Sequence, residues 1–409
     1  MPDALPDDTP DALPDDALEA MPDQAHDSQA AALTFPDNVP VLSDGVVTLR
    51  AHTSDDLDAV TEQAQDPASQ RWTSVPRPYE RSDAVEFLQL IRSGWNDPDG
   101  NRIWAIDYTA GDGTVRYGGT IDLRPKPYGV ADIGFALHPA ARGNSVMSRA
   151  VRLACRYGFE TGFAHGPVQR IHWEAYRGNW ASRRVAWATG FTMHGTVPQM
   201  IGLAGVTLED AWLASLGRDD RMEPTTSWLE AVTLEADGIR LREWRDSDRD
   251  SIEDMVWPAH HLPEHAKMTD DTYTEWVTTR RERMASGQGI YWCIADAETD
   301  LPLGLAILFD REGTLGPLTG EVGYWLYPRA RGRGVMGATM RLLVEHAFTP
   351  ESKGGLGLRR LTAGTAADNE ASNSVLRRAG FEVWGREPAV DELPDGTLAD
   401  GLHWYLLAP

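Results

Sequence analysis

Arg331-Gly332-Arg333-Gly334 is the densest chemical signal in the chain. It follows the apolar aromatic run Tyr324-Trp325-Leu326-Tyr327. It precedes Val335, Met336, Met340, Leu343, Val344 and Phe348, which recur at helical spacing. This pattern predicts a strand, ended by Pro328, then a tight basic turn and an amphipathic helix. Such a turn presents unpaired backbone N–H groups and the positive end of a helix dipole, which together form a seat for phosphate or pyrophosphate. The plainer alternative is a tight turn with two solvated arginines. That alternative is weakened because the stretch has a twin. Asp132 to Met147 repeats its order, with Arg142-Gly143-Asn144-Ser145 standing where Arg331-Gly332-Arg333-Gly334 stands.

The elements that must hold these turns also come twice. In the first half, strands are predicted at Val46–Arg50, Ile103–Ile106, Gly118–Leu123, Ile133–Leu137, Ile171–Ala175 and Ala211–Leu216. Helices are predicted after Ser54-Asp55-Asp56, near Ser82–Ser93, from the Arg142 turn to Phe159, and at Asn179–Thr189 with Gly190 as its cap. The second half repeats the order. Arg331 follows Arg142 at an offset of 189 residues, and Asn369 and Gly380-Phe381 follow Asn179 and Gly190-Phe191 at 190. A steady offset of this size means two copies of one domain, since stacked repeats have periods of roughly 20–50 residues. Domains are expected at 39–218 and 226–409, with a polar linker near 217–227.

The chain has 409 residues and a formal net charge of −24. An acidic surface argues against nucleic acid as a partner. Residues 1–38 hold nine Asp, one Glu and no Lys or Arg, and repeat PDALPDD, so this segment is expected to be a disordered acidic tail. Cys155 and Cys293 sit in apolar segments and are expected to be buried thiols of a reducing, cytoplasmic compartment. No apolar run reaches the roughly 18 residues of a membrane span, so no membrane partner is expected. His260, His261 and His265 match no strong ligand spacing, and no metal is expected.

Two motifs together carry a family resemblance. One is the turn Arg331-Gly332-Arg333-Gly334-Val335-Met336. The other is Asn369-Glu370-Ala371-Ser372-Asn373-Ser374-Val375-Leu376 followed by Gly380-Phe381. In this order, and twice over, they resemble the GCN5-related N-acetyltransferases. The strand Glu321-Val322-Gly323-Tyr324-Trp325 is nearest to the ribosomal-protein N-terminal acetyltransferase branch. Met336 departs from the family pattern, which has a small residue there. The resemblance implies an α+β fold of two tandem domains, each a mixed, mostly antiparallel sheet flanked by helices.

It also implies acetyl-CoA, or another acyl-CoA, as co-substrate. Arg331, Gly332, Arg333, Gly334, Val335, Met336 and Gly337 would hold its pyrophosphate, Leu326 its pantetheine arm, and Asn369 would add a further bond. Acyl transfer to an amine needs a base for the amine and an acid for the leaving thiolate. Glu321 is the candidate base and Ser372 the candidate acid, with Tyr324 and Tyr405 as weaker candidates for the acid. Trp244, Trp257, Trp276 and Trp292 are candidates to line the acceptor groove with the histidine cluster, and Met336 to shape a longer acyl pocket.

The first copy keeps Arg142, Gly143, Asn144 and Asn179 as a second CoA-site candidate. It has Ser145 in place of Gly334 and Asp132 in place of Glu321, and is expected to be impaired. The acceptor would be an amine: a peptide or protein N-terminus, a small amine, or a cysteinyl sugar as in the mycothiol synthases. A non-catalytic acyl-CoA sensor or scaffold is the alternative of another class.

Overall fold

The computed structural model describes residues 39–203, 207–253, 268–309, 318–392 and 396–409. The acidic segment 1–38, Trp257 and the histidines 260, 261 and 265 lie outside the described residues. The chain divides into two compact units, with the boundary between Thr225 and Thr226.

The first unit holds β1 (Leu42–Ser43), β2 (Val47–Arg50), β3 (Arg102–Thr109), β4 (Val115–Lys126), β5 (Val130–Leu137), β6 (Arg170–Tyr176), β7 (Thr192–Leu203) and β8 (Thr207–Gly217). They form one sheet in the order β1-β2-β3-β4-β5-β6-β8-β7, in which only β5 and β6 pair parallel. The second unit repeats this with β9 (Leu234–Ala236), β10 (Ile239–Arg242), β11 (Gly289–Asp296), β12 (Pro302–Phe309), β13 (Thr319–Leu326), β14 (Arg360–Ala366), β15 (Glu382–Glu392) and β16 (Leu398–Leu407). Its order is β9-β10-β11-β12-β13-β14-β16-β15, with β13 and β14 the parallel pair. Two mixed, mostly antiparallel sheets with flanking helices make this an α+β fold in tandem.

The first unit carries helices α1 (Leu57–Gln65), α2 (Pro67–Trp72), α3 (Arg81–Asn96), α4 (Val146–Glu160) and α5 (Trp180–Ala188). The second carries α6 (Tyr273–Ala285), α7 (Val335–Phe348) and α8 (Glu370–Arg378). The entry to α1 is a short 3₁₀ turn, Ser54–Asp56, capped by Thr53 through a reciprocal bond with Asp56, and α1 itself starts at Leu57 with Asp56 at its N-cap position, within the expected Ser54-Asp55-Asp56. Asp66 caps helix α2 and Pro67 opens it.

Helix α7 turns Val335, Met336, Met340 and Leu343 into the second core, and α4 does the same with Val146, Met147, Val151 and Ala154 in the first. Cys155 and Cys293 are free and buried. Burial pushes both thiols above their ordinary value. Each unit pins its second strand with one arginine, half-buried in the first unit and buried in the second. Arg50 grips Asp56 and Asp107, and Arg242 grips Asp248 and Asp300.

Gly304 shapes the sheet beside the site. A Cβ there would lie 2.2 Å from the Trp325 carbonyl oxygen, so only glycine lets β12 press against β13 at that point.

Candidate active site

The site grows from the place where β13 and β14 part. β13 and β14 stay in register over three pairs, Thr319–Arg360, Gly320–Leu361 and Glu321–Thr362. Beyond Glu321 the strands part. The edge of Val322–Leu326 that faces β14 therefore makes no ladder there, and such an edge offers donors and acceptors to an extended amide chain.

Glu321 stands at the apex of this splay. Its Oε1 lies 3.9 Å from the point a Cβ on Gly364 would occupy, so the carboxylate reaches along the sheet face towards β14. Across the pair, the buried Thr362 hydroxyl has no hydrogen-bond partner. An orphaned buried hydroxyl at a cleft apex costs free energy unless a bound group satisfies it.

Side chains alternate along a strand, so Tyr324 faces the opposite side from Glu321. There its phenolic oxygen is 2.7 Å from Ser372 Oγ and 3.4 Å from the Ser372 carbonyl oxygen. Burial pushes the Tyr324 phenol above its ordinary value, and the Ser372 bond offsets part of that. Ser372 is held in turn by Asn369, whose Oδ1 accepts from the Ser372 N–H at 3.2 Å and caps α8. A protonated tyrosine and a serine in contact form a proton-donating pair within the splay. Tyr405 is not part of it: its hydroxyl donates to Glu382 at 2.6 Å.

The basic turn follows β13 directly. Gly332 (φ 71°) and Gly334 (φ 79°) adopt the left-handed conformation, and Gly334 caps α7. A Cβ at either would meet nothing within 4 Å, so open space lies over the turn. Arg331 to Gly334 are exposed. Arg331 Nε donates to the Leu326 carbonyl at 3.2 Å, and Arg333 donates to the Arg329 carbonyl at 3.5 Å. Two guanidiniums, exposed glycines and the first N–H groups of a helix fit a pyrophosphate. Val335 and Met336 contribute only backbone to such a seat, because their side chains are buried in the core. Met336 therefore does not line an acyl pocket over the turn. Gly337 is half-buried in the first turn of α7.

The tryptophan expectation needs correction. Trp244, Trp276 and Trp292 are 3%, 3% and 0% exposed and belong to the core of the second unit. Trp244 packs edge-on against Trp276, and Trp292 Nε1 donates to the Val232 carbonyl at 3.0 Å. Large aromatic area is best hidden, and that outweighed any role at a groove.

The first unit has the same frame with different side chains. Ser145 takes the left-handed conformation of Gly334 (φ 55°), so the turn keeps its course at a conformational cost of about 1 kcal/mol. The Arg142 guanidinium pairs with Asp66, and Asn144 Nδ2 donates to the Arg142 carbonyl. A cavity of about 370 Å³ lies beside this turn, lined in part by Tyr108, Asp112, Arg116 and Asn144. Asn179 caps α5 through the Ser182 N–H at 3.2 Å. Asp132, in the place of Glu321, forms an ion pair with Lys126 at 2.9 Å. Phe135 stands where Tyr324 stands, and Ser182 Oγ accepts a bond from Trp173 Nε1 at 3.1 Å. The hydroxyl pair is therefore absent from this unit.

Among the described residues no group of three His, Cys, Asp or Glu is placed to hold a metal ion, and no helix is long and apolar enough to cross a membrane.

Comparisons with known proteins agree with this geometry. The family model "Acetyltransferase (GNAT) domain" matches twice, at residues 47–192 and 239–382. A Bacillus subtilis protein named "Probable N-acetyltransferase YjcK" is 33% identical over 122 residues, which are 28% of this chain and 64% of that protein. Another from the same organism, "Putative ribosomal N-acetyltransferase YdaF", is 32% identical over 87 residues, 21% of this chain and 42% of its own. The chain thus spans less than two thirds of each of these relatives. A crystal structure of the ribosomal-protein-S5-alanine acetyltransferase from Vibrio fischeri is 20% identical, covering 43% of this chain and 97% of that one with a TM-score of 0.37. The two domain matches cover most of the chain, each spanning the turn, the splay and the capped helix. The chain belongs to the GNAT acetyltransferase family, as two such domains in tandem.

Proposed function

We propose that the protein is an acetyl-CoA-dependent N-acetyltransferase whose chemistry takes place in the second unit. The observation that carries this is the contact between Tyr324 and Ser372, on the sheet face opposite Glu321 beside the splay and missing from the first unit. Acetyl-CoA supplies an activated acyl thioester. The turn Arg331–Gly334 and the N-terminus of α7 hold its pyrophosphate, and the unladdered edge of Val322–Leu326 aligns the pantetheine amides. The Asn369 side-chain N–H groups add a bond, since its Oδ1 is used by the cap.

Glu321 takes a proton from the acceptor ammonium, directly or through water, which frees a lone pair for attack on the carbonyl carbon. A C–N bond forms and the C–S bond breaks. Tyr324, with Ser372 as its hydrogen-bond partner, gives a proton to the departing sulfur. The nitrogen loses two protons in all: one to Glu321 before attack, which passes on to solvent, and one as the C–S bond breaks, which returns through solvent to Tyr324 in place of the proton given to sulfur, so the products are a neutral amide, the CoA thiol and one released proton.

The acceptor is a primary amine, either a peptide or protein N-terminus or a small amine. The protein's −24 charge favours cationic acceptors over nucleic acid. The test is CoA release from acetyl-CoA by the intact chain across a panel of N-terminal peptides and small amines. Release with at least one amine, abolished in Glu321→Gln, is the expected result. Tight acetyl-CoA binding with no release by any amine would instead favour a sensor or scaffold.

A further inference from the structure

The two sheets differ at one dipeptide beside the splay. Position for position, Ala363-Gly364 on β14 corresponds to Trp173-Glu174 on β6. In the second unit the parallel ladder ends at Glu321–Thr362, and the strands have already parted at Ala363. In the first unit the ladder continues one pair further, to Ile133–Trp173. The second cleft therefore opens one residue earlier.

Ala363 faces the helix side, where Tyr324 meets Ser372. Gly364 faces the other side, where Glu321 lies. The strand at the mouth of this cleft thus carries no side chain larger than a methyl on either face. Trp173 is 2% exposed and sends its indole N–H to Ser182 Oγ, the hydroxyl that corresponds to Ser372. Glu174 puts a carboxylate on the opposite face, on the same side as Asp132.

The core is balanced by an exchange across the neighbouring strand. Trp173 is paired with Ala214, whereas Ala363 is paired with Trp404. At this cross-strand pair each unit has one tryptophan, but from different strands; the neighbouring pair holds Trp212 in the first unit and Leu402 in the second. Trp404 sits on β16, away from the splay, and its indole N–H donates to Thr365 Oγ1 at 2.8 Å. The volume of this pair is conserved, so the exchange is compatible with packing in both cores. Only the position of the bulk changes, and with it the room at the cleft.

We propose that Ala363-Gly364 is an aperture through which the thioester, on the helix side, and the acceptor amine, on the Glu321 side, reach each other. Trp173-Glu174 plugs the same place in the first unit, which therefore does not admit the acyl end of acetyl-CoA. This rests on the function proposed above for the second unit.

The test is calorimetry on the full chain with two ligands: acetyl-CoA, and the nucleotide half of CoA (adenosine 3′,5′-bisphosphate), which needs the turn but not the aperture. Wild type is expected to bind one acetyl-CoA per chain. The opening variant, Trp173→Ala with Glu174→Gly and Ala214→Trp, is expected to bind two. A stoichiometry that stays at one would overturn the plug. The closing variant, Ala363→Trp with Trp404→Ala, is expected to lose at least tenfold in acetyl-CoA affinity while bisphosphate affinity stays within twofold. Unchanged acetyl-CoA affinity would overturn the aperture. If the closing variant loses both ligands, its second unit is misfolded and the opening variant alone decides. Wild type binding two acetyl-CoA molecules would refute the plug while leaving the function intact. Wild type binding none would refute the function itself.

Discussion

Replacing Tyr324 by Phe removes one oxygen atom and copies the first unit's Phe135 into the second. The lost atom lies 2.7 Å from Ser372 Oγ, in a half-buried position. For folding, this is one hydrogen bond between neutral groups, worth about 1 kcal/mol. In a domain of this size that corresponds to a fall in Tm of roughly 2–4 °C. For catalysis the loss is larger if the hydroxyl gives the sulfur its proton, since a positioned general acid contributes about 10²–10⁴-fold. Ser372 Oγ remains and can still donate, so the lower end, about 10²-fold in kcat, is expected. The pyrophosphate turn is untouched, so the KM for acetyl-CoA should change little. The assay is CoA release at saturating amine and acetyl-CoA, with acetyl-CoA affinity from calorimetry as a control. A kcat within threefold of wild type would refute the acid role. The pH profile adds a second check. Burial raises the Tyr324 phenol above its ordinary value of 10.0, so its proton persists past that pH. An acid-dependent alkaline fall in kcat should therefore begin above about pH 10. A fall centred near pH 8 that disappears in Tyr324→Phe would contradict this.

Gly334→Ser should cost about 1 kcal/mol of stability, because serine must adopt the left-handed conformation that Ser145 already tolerates, with open space around its Cβ. It should also weaken acetyl-CoA and adenosine 3′,5′-bisphosphate by the same factor; calorimetry showing neither weakened would move the pyrophosphate elsewhere. Asp248→Ala leaves the buried Arg242 guanidinium without its bidentate partner and should destabilise the second unit by about 3 kcal/mol in denaturant titration. A loss under 1 kcal/mol would show that Asp300 alone satisfies it. In the first unit, burial pushes His52 from 6.5 down to about 4. The unfolded chain then binds the extra proton first, so stability is full above pH 6.5 and falls towards pH 4, by about 3 kcal/mol. His52→Gln should flatten that part of the profile; an unchanged slope would assign it to other groups.

The tandem architecture was legible because the same strands, turn and capped helix recur at a fixed offset. The turn was legible for a local reason: glycines at left-handed positions beside arginines leave few other structures. The Tyr324–Ser372 contact was not, since an aromatic residue in a strand reads as core and its partner is 48 residues away. Only the splay, which tilts β13 away from β14, brings that hydroxyl onto α8. Trp244, Trp276 and Trp292 misled for the opposite reason: sequence proximity to the histidines 260, 261 and 265 says nothing about which face an indole takes. The readable clue was the alignment of the two copies. Phe135 against Tyr324, and Trp173 with Ala214 against Ala363 with Trp404, are visible once the offset is known.

The most direct test of chemistry in the second unit is a matched pair of substitutions at equivalent places in the two turns, Gly334→Glu and Ser145→Glu. Each puts one carboxylate where a pyrophosphate would lie. With CoA release measured on the intact chain, Gly334→Glu should reduce kcat/KM for acetyl-CoA by at least 10²-fold, about 2.7 kcal/mol or more. Ser145→Glu should leave it within twofold. Loss of turnover in Ser145→Glu, or its retention in Gly334→Glu, would contradict the assignment of catalysis to the second unit.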